Sequence, residues 1–208
     1  MLIKIFVLGP LENNTFVVTS EKSKKSFVID PSFGAFEKIK FFLADNSYTL
    51  DKILLTHSHM DHIADVKHLK DAFSPSLYIH KLEAKALENP EPLSFFSMKA
   101  EGVKPDILLE NRDKIKVGDI EIEVIHTPGH TPGGTCFYIE KEKTLFSGDT
   151  LFKGSFGRID FSYSNSKDMV KSLKSLSKLP KETKVYPGHG SLTTIKDESW
   201  MENANQLI

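Results

Sequence analysis

Cysteine is nearly absent: Cys136 is the only one among 208 residues. That excludes an intrachain disulfide framework and any zinc site built on several thiolates. Long hydrophobic runs are missing too, with no stretch near the roughly 18 apolar residues that a membrane span needs. The apolar opening at residues 1–8 is short, no small-residue cleavage site follows it, and it reads as a strand rather than a signal peptide. Charge of one sign is also lacking. The 27 basic and 28 acidic residues leave a net charge of −1, far from the basic surplus of a nucleic-acid binder. The lysine-rich stretch at 167–184 is interrupted by Asp168 and Glu182, the pattern of a solvated helix face. These absences lead us to expect a protein of the reducing cytoplasm with a small-molecule partner, no nucleic acid and no membrane.

What is there suits a packed globule. Hydrophobic residues make up 39% of the chain, and 15 phenylalanines supply much of the apolar bulk. The length fits one domain spanning residues 1–208. Alternating or short apolar runs predict strands at 3–7, 16–18, 26–29, 52–55, 77–79, 114–117, 120–125, 135–139, 144–146 and 184–186, with Asn13-Asn14 marking the first connection. Helical spacing appears at Phe36, Ile39 and Leu43, over 64–72, at Met169, Leu173, Leu176 and Leu179, and over 197–206. Asn165, three residues before Asp168, is placed to cap the third of these. The stretch 88–105 holds three prolines and little periodicity, and reads as a long loop of the kind that covers clefts. Strands flanked by helices in both halves point to two face-to-face sheets with helices outside, with a single parallel sheet as the rival.

The chemistry concentrates at strand ends. His57-x-His59-x-Asp61-His62 packs four metal-capable side chains into six residues directly after a predicted strand. On extended backbone His57 and His59 face the same way and can share a metal, while Asp61 and His62 follow the turn and can face a neighbouring position. A solvated loop is the bland alternative, but three more segments repeat the signal. Thr127-Pro128-Gly129-His130 and Tyr186-Pro187-Gly188-His189 set histidines in loops shaped by proline and glycine, and Gly148-Asp149 sets a carboxylate after an apolar run. His68 and His80 read as surface or satisfied core residues, and His126 as packed beside the site.

In order and rough spacing these motifs resemble the metallo-β-lactamase superfamily, most closely the compact glyoxalase-II-type hydrolases. The carriers are Thr56–His62, the Thr127–Thr131 loop, Ser147-Gly148-Asp149-Thr150-Leu151-Phe152 and Tyr186–Gly190, together with Glu12–Thr15, Val28–Pro31 and Thr193–Ile195. The resemblance implies an α/β fold, the four-layer αββα sandwich. It implies two divalent metal ions, zinc with iron or manganese as options: one on His57, His59 and His130, the other on Asp61, His62 and His189, with Asp149 bridging both. Asp61 is also the candidate catalytic residue. The implied activity is thioester hydrolysis by a hydroxide held between the metals, because a metal can lower the pKa of bound water to about 7. Ser58 and Cys136 are then not nucleophiles. With 19 residues after His189, the helical domain that grips glutathione in full-length glyoxalase II is expected to be missing. The stretch Gly154–Phe161 resembles one shared with persulfide dioxygenases, which use one iron, so an oxidoreductase is the alternative and a non-catalytic metal-binding module the third reading. Within that stretch Arg158 reads as a structural brace paired with Asp160 or with loop carbonyls, with contact to an anionic group of the substrate as the alternative.

Overall fold

The computed structural model describes residues 1–91 and 99–206. Two six-stranded sheets form its centre. The first follows the order β1 (Leu2–Leu8), β2 (Asn13–Thr19), β3 (Lys25–Ile29), β4 (Thr49–Leu54), β5 (Ser76–His80) and β6 (Ile107–Leu109). The second runs β12 (Thr193–Thr194), β11 (Lys184–Pro187), β10 (Thr144–Gly148), β9 (Thr135–Ile139), β8 (Ile120–His126) and β7 (Lys114–Val117). Both sheets are mixed. β1 to β3 pair antiparallel and β3 to β6 parallel, while in the second sheet only β10 and β11 pair parallel. The single parallel sheet is thus excluded.

A period of two in the sequence builds the layers. Phe16, Val18, Phe27, Ile29 and Leu54 meet Ile122, Val124, Phe137, Ile139 and Phe146 between the sheets. The intervening residues point outward and are covered as well. Val17, Val28 and Ile53 pack under α1 (Ala35–Asn46) and α3 (Val66–Phe73), and Cys136, Tyr138 and Leu145 pack under α5 (Ser166–Leu176). Strands buried on both faces read as near-continuous apolar runs, which explains why their alternation is faint in the sequence. The result is the expected αββα sandwich. No helix among the described residues is long and apolar enough to cross a membrane.

Several local expectations needed correction. Asn13 and Asn14 open β2, and the turn lies before them, where Glu12 donates to the Gly9 carbonyl. The helix expected at 64–72 is α3, but a separate helical turn that was not expected, α2 (Met60–Ile63), precedes it and carries Asp61 and His62. β6 and β12 are short edge strands that the pattern did not reveal, and α4 (Ala84–Glu88) precedes the long loop. The C-terminal segment forms 3₁₀ turns over Ser199–Gln206 with a kink at Asn203, not a regular helix. Asn165 does cap α5, accepting from the Asp168 amide at 3.1 Å. Residues 92–98 of the loop expected to cover the cleft lie outside the described residues.

Candidate metal centre

The parallel pairs β3/β4 and β10/β11 end at one edge of the sandwich, and the candidate residues follow those ends. His57 and His59 come after β4, Asp149 follows β10, and His189 follows β11. The two sheets are tied together here by the Thr135 amide on the Thr56 carbonyl at 2.9 Å. Asn14 shapes the last loop by donating to the carbonyls of Pro187 and Gly190, both at 2.9 Å. Gly188 is required by space: a Cβ there would lie 2.5 Å from Asp149 Oδ1 and 2.8 Å from a His62 ring carbon.

All seven predicted side chains converge. Three groups, His57/His59/His130, His57/His62/Asp149 and Asp61/His62/His189, each offer donor atoms within 4.8 Å of one another. Asp149 lies between them, with Oδ2 3.5 Å from His130 Nε2 and Oδ1 3.4 Å from His62 Nε2 and 3.8 Å from His189 Nε2. His57, Asp61, His62 and His130 are buried, and His59, Asp149 and His189 are partly buried.

Each of the five imidazoles is held by one nitrogen. His57 Nδ1 bonds Thr56 Oγ1 at 3.0 Å, and His59 Nε2 bonds the Tyr163 hydroxyl at 2.8 Å. His62 Nδ1 bonds Asp30 Oδ2 at 2.9 Å, His130 Nδ1 donates to the Arg158 carbonyl at 2.7 Å, and His189 Nδ1 donates to the Leu11 carbonyl at 2.9 Å. The other nitrogens face one another, His59 Nδ1 to His130 Nε2 at 2.9 Å and His62 Nε2 to His189 Nε2 at 3.3 Å. Anchoring one nitrogen and freeing the other is how proteins orient histidine toward a metal. His57 Nε2 and Asp149 Oδ1 are buried without any hydrogen-bond partner, an unfavourable arrangement that a bound cation relieves. The residues therefore fit a divalent metal.

Electrostatics divide the cluster. Burial and the neighbouring histidines push His57 well below its ordinary value and His59 to about 4, which keeps both rings neutral, the form that binds metals. Burial opposes the charge on His62, but Asp61, Asp149 and Asp30 outweigh it and lift the ring to about 10. Burial likewise opposes ionisation of Asp61, yet the imidazoles of His62, His189 and His59 hold its carboxyl well below the usual range.

A cavity of about 430 Å³ opens beside His59, walled by Met60, Leu82, Ala86, Pro132 and Tyr163. His68 is exposed, as expected. His80 is buried and stacks on His126, the rings 4.1 Å apart and 10° from parallel, and His126 Nε2 donates to the Pro132 carbonyl beside the site. Arg158 pairs with Asp160 through two 2.9 Å bonds and lies over the Phe161 ring, but its side chain is 68% exposed. Only its backbone carbonyl braces a candidate ligand. Sequence reasoning missed the roles of Asp30, Thr56 and Tyr163. For Asp30 the strand-end Asp-Pro was the available signal, and Tyr163 carried none.

A sequence profile of the metallo-β-lactamase superfamily matches residues 8–189. The chain belongs to that superfamily. Within this superfamily of metallo-hydrolases, the hydroxyacylglutathione hydrolase GloC of Haemophilus influenzae is 30% identical over 203 residues, covering 95% of each chain. The crystal structure of the BLEG-1 B3 metallo-β-lactamase matches with a TM-score of 0.87 at 36% identity, covering 95% of this chain and 96% of that one. That of TTHA1623 in a di-iron-bound form matches with a TM-score of 0.81 at 34% identity, covering 94% and 96%. The chain thus has the metallo-β-lactamase fold, with a His/Asp cluster of the kind that holds divalent metal.

Proposed function

We propose that this protein is a metal-dependent hydrolase of small thioesters, with two ions held by His57, His59 and His130 and by Asp61, His62 and His189, and Asp149 between them. The observation that carries the reading is the orientation of the five imidazoles, each fixed by one nitrogen with the other turned into the cluster. A metal bound there would lower the pKa of coordinated water toward about 7 and polarise a carbonyl oxygen. Asp61 would orient the attacking water by accepting its hydrogen bond, and the proton that this water gives up would leave with the departing thiolate. No Ser or Cys is required, and the Cys136 thiol is buried and raised to about 11, away from any thiolate role. The cavity beside His59 receives the bulk of the substrate, and its mostly apolar wall shields the carbonyl from competing water.

The names GloC and B3 β-lactamase imply different substrates, a thioester and a strained amide. Both reactions hydrolyse an acyl bond, and the resemblance to the glyoxalase-II-type hydrolases, with the GloC relative, favours the thioester. We take zinc as the resident metal, although the di-iron form of TTHA1623 makes iron the first alternative. The shared interior of the two sheets supports treating residues 1–208 as one domain, and the single buried thiol suits the cytoplasm. The test is metal analysis by mass spectrometry, run beside hydrolysis of an S-acylglutathione and of a β-lactam. Two ions per chain and thioester turnover abolished by chelation are expected. β-Lactam turnover without thioester turnover overturns the substrate. One iron with oxygen uptake on a persulfide establishes the dioxygenase, and a metal-loaded but inert protein the binding module.

A further inference from the structure

Glu83 stands at the entrance of α4 but does not cap it, since no side-chain hydrogen bond returns to that helix. Its side chain crosses to two other segments instead. Oε2 accepts from the Ser58 amide at 3.0 Å and from the Ser58 hydroxyl at 2.5 Å, and Oε1 accepts from the Gly133 amide at 2.8 Å. The residue is 3% exposed and has no ion-pair partner among the described residues. Burying a carboxylate without a cation is costly, and here three donors offset the loss.

The positions of those donors are informative. Ser58 lies between His57 and His59, and Gly133 lies three residues after His130. One side chain therefore ties together the two loops that carry the three-histidine group. The Thr135–Thr56 backbone bond joins the same loops, and so does the contact between the candidate ligands His59 and His130, so Glu83 is a fastening supplied from outside both loops. Without it, the spacing of the loops rests on one backbone bond and on the candidate ligands themselves. Gly133 lets the carboxylate approach, because a Cβ there would lie 2.6 Å from Glu83 Cγ and 2.9 Å from Oε1.

We propose that Glu83 is a positioning residue: bridging the Ser58 and Gly133 loops, it sets the spacing of His57, His59 and His130 and so tunes metal affinity at that group and not at Asp61, His62 and His189. This rests on the reading of the cluster as a two-metal centre. The discriminating variant is Glu83→Gln, which keeps length and shape. An amide has one acceptor oxygen and one donor nitrogen, and both sides of Glu83 present a backbone N–H. In either orientation the amide nitrogen faces a donor, and one loop is pushed away.

Zinc affinity of the metal-stripped protein, measured by chelator competition in two backgrounds, tests the assignment. His189→Ala leaves the three-histidine group as the main site, and there Glu83→Gln should weaken zinc binding about 10- to 100-fold. His130→Ala leaves the other group, and there the same change should alter affinity less than about twofold. Equal weakening in both backgrounds shows a general structural role and overturns the proposal, as does no weakening in either. A parent protein that binds no zinc overturns the two-metal reading, and this assignment with it. If Glu83→Gln does not fold, Ser58→Ala removes one of the three bonds while keeping the backbone contact. It should produce a smaller loss confined to the His189→Ala background, and a loss in both backgrounds refutes the proposal equally.

Discussion

Asp30→Asn perturbs one atom of the candidate centre. Asp30 is 1% exposed and sits at φ 49°, in the left-handed region that Asn adopts as readily as Asp. The backbone therefore has no reason to move, which would not hold for Ala. Three donors converge on the carboxylate. Oδ1 accepts from the Thr56 amide at 2.8 Å, and Oδ2 accepts from Thr56 Oγ1 at 2.6 Å and from His62 Nδ1 at 2.9 Å. If the new amide nitrogen takes the Oδ2 position, it faces His62 Nδ1. The ring then escapes a donor–donor clash only by giving up its Nδ1 proton, which leaves Nε2, the nitrogen turned toward Asp61, Asp149 and His189, as the protonated one. If it takes the Oδ1 position, it faces the Thr56 N–H, which cannot reorient.

Either way one hydrogen bond to a charged acceptor is lost, worth about 1.5–3 kcal/mol. At about 1.4 kcal/mol per tenfold, that corresponds to roughly a 10- to 150-fold weaker hold on an ion at the Asp61/His62/His189 group. The assay is chelator competition on the metal-stripped variant at neutral pH, beside thermal unfolding of the same preparation. The first-bound and second-bound ions should separate more widely than in the parent, because Asp30 contacts His62 directly but reaches the three-histidine group only through Thr56, which holds His57. Zinc binding within twofold of the parent at both positions refutes the reasoning, and so does a loss confined to the three-histidine group.

Three further outcomes follow from the same geometry. Asp149→Ala should cost at least about tenfold more hydrolytic activity than Ser58→Ala or Cys136→Ala, because Asp149 faces both groups; equal losses in a thioester assay argue for a protein nucleophile. Burial, helped by His126 and Lys81, pushes His80 down to about 4, whereas in the unfolded chain it titrates near 6.5. The unfolded state thus binds the extra proton, so this stability is intact above about pH 6.5 and is lost as pH falls toward 4. His80→Phe, measured metal-free by denaturant unfolding, should flatten that slope, and superimposable pH profiles refute it. Arg158→Lys loses the fork onto Asp160, but the pair is solvent-exposed, so thermal unfolding should coincide with that of the parent with metal content unchanged; a variant that loses metal and melts early shows that the guanidinium is a brace after all.

The candidate ligands were legible because each is announced locally. A histidine or aspartate follows an apolar run, and proline or glycine shapes the turn. Both sheets were legible for the same reason, apart from β6 and β12, whose three and two residues are too short to carry a period. The groups that aim the ligands were not legible, and the separations explain why. His62 is oriented from 32 residues upstream by Asp30, His59 from 104 residues downstream by Tyr163, and His189 from 178 residues upstream by the Leu11 carbonyl. No spacing within a motif encodes such contacts. Two of the five anchors, Leu11 and Arg158, act through backbone carbonyls, so no side-chain identity could have flagged them. Residue type at strand ends therefore supplies the donors, whereas topology supplies their direction. Because His62 takes its anchor from the first sheet's β3–β4 edge while His130 and His189 follow strands of the second, the inward-facing geometry exists only once the sheets are docked. Metal binding at such a centre is coupled to the assembly of the whole sandwich, and metal should stabilise the two sheets against unfolding as one unit.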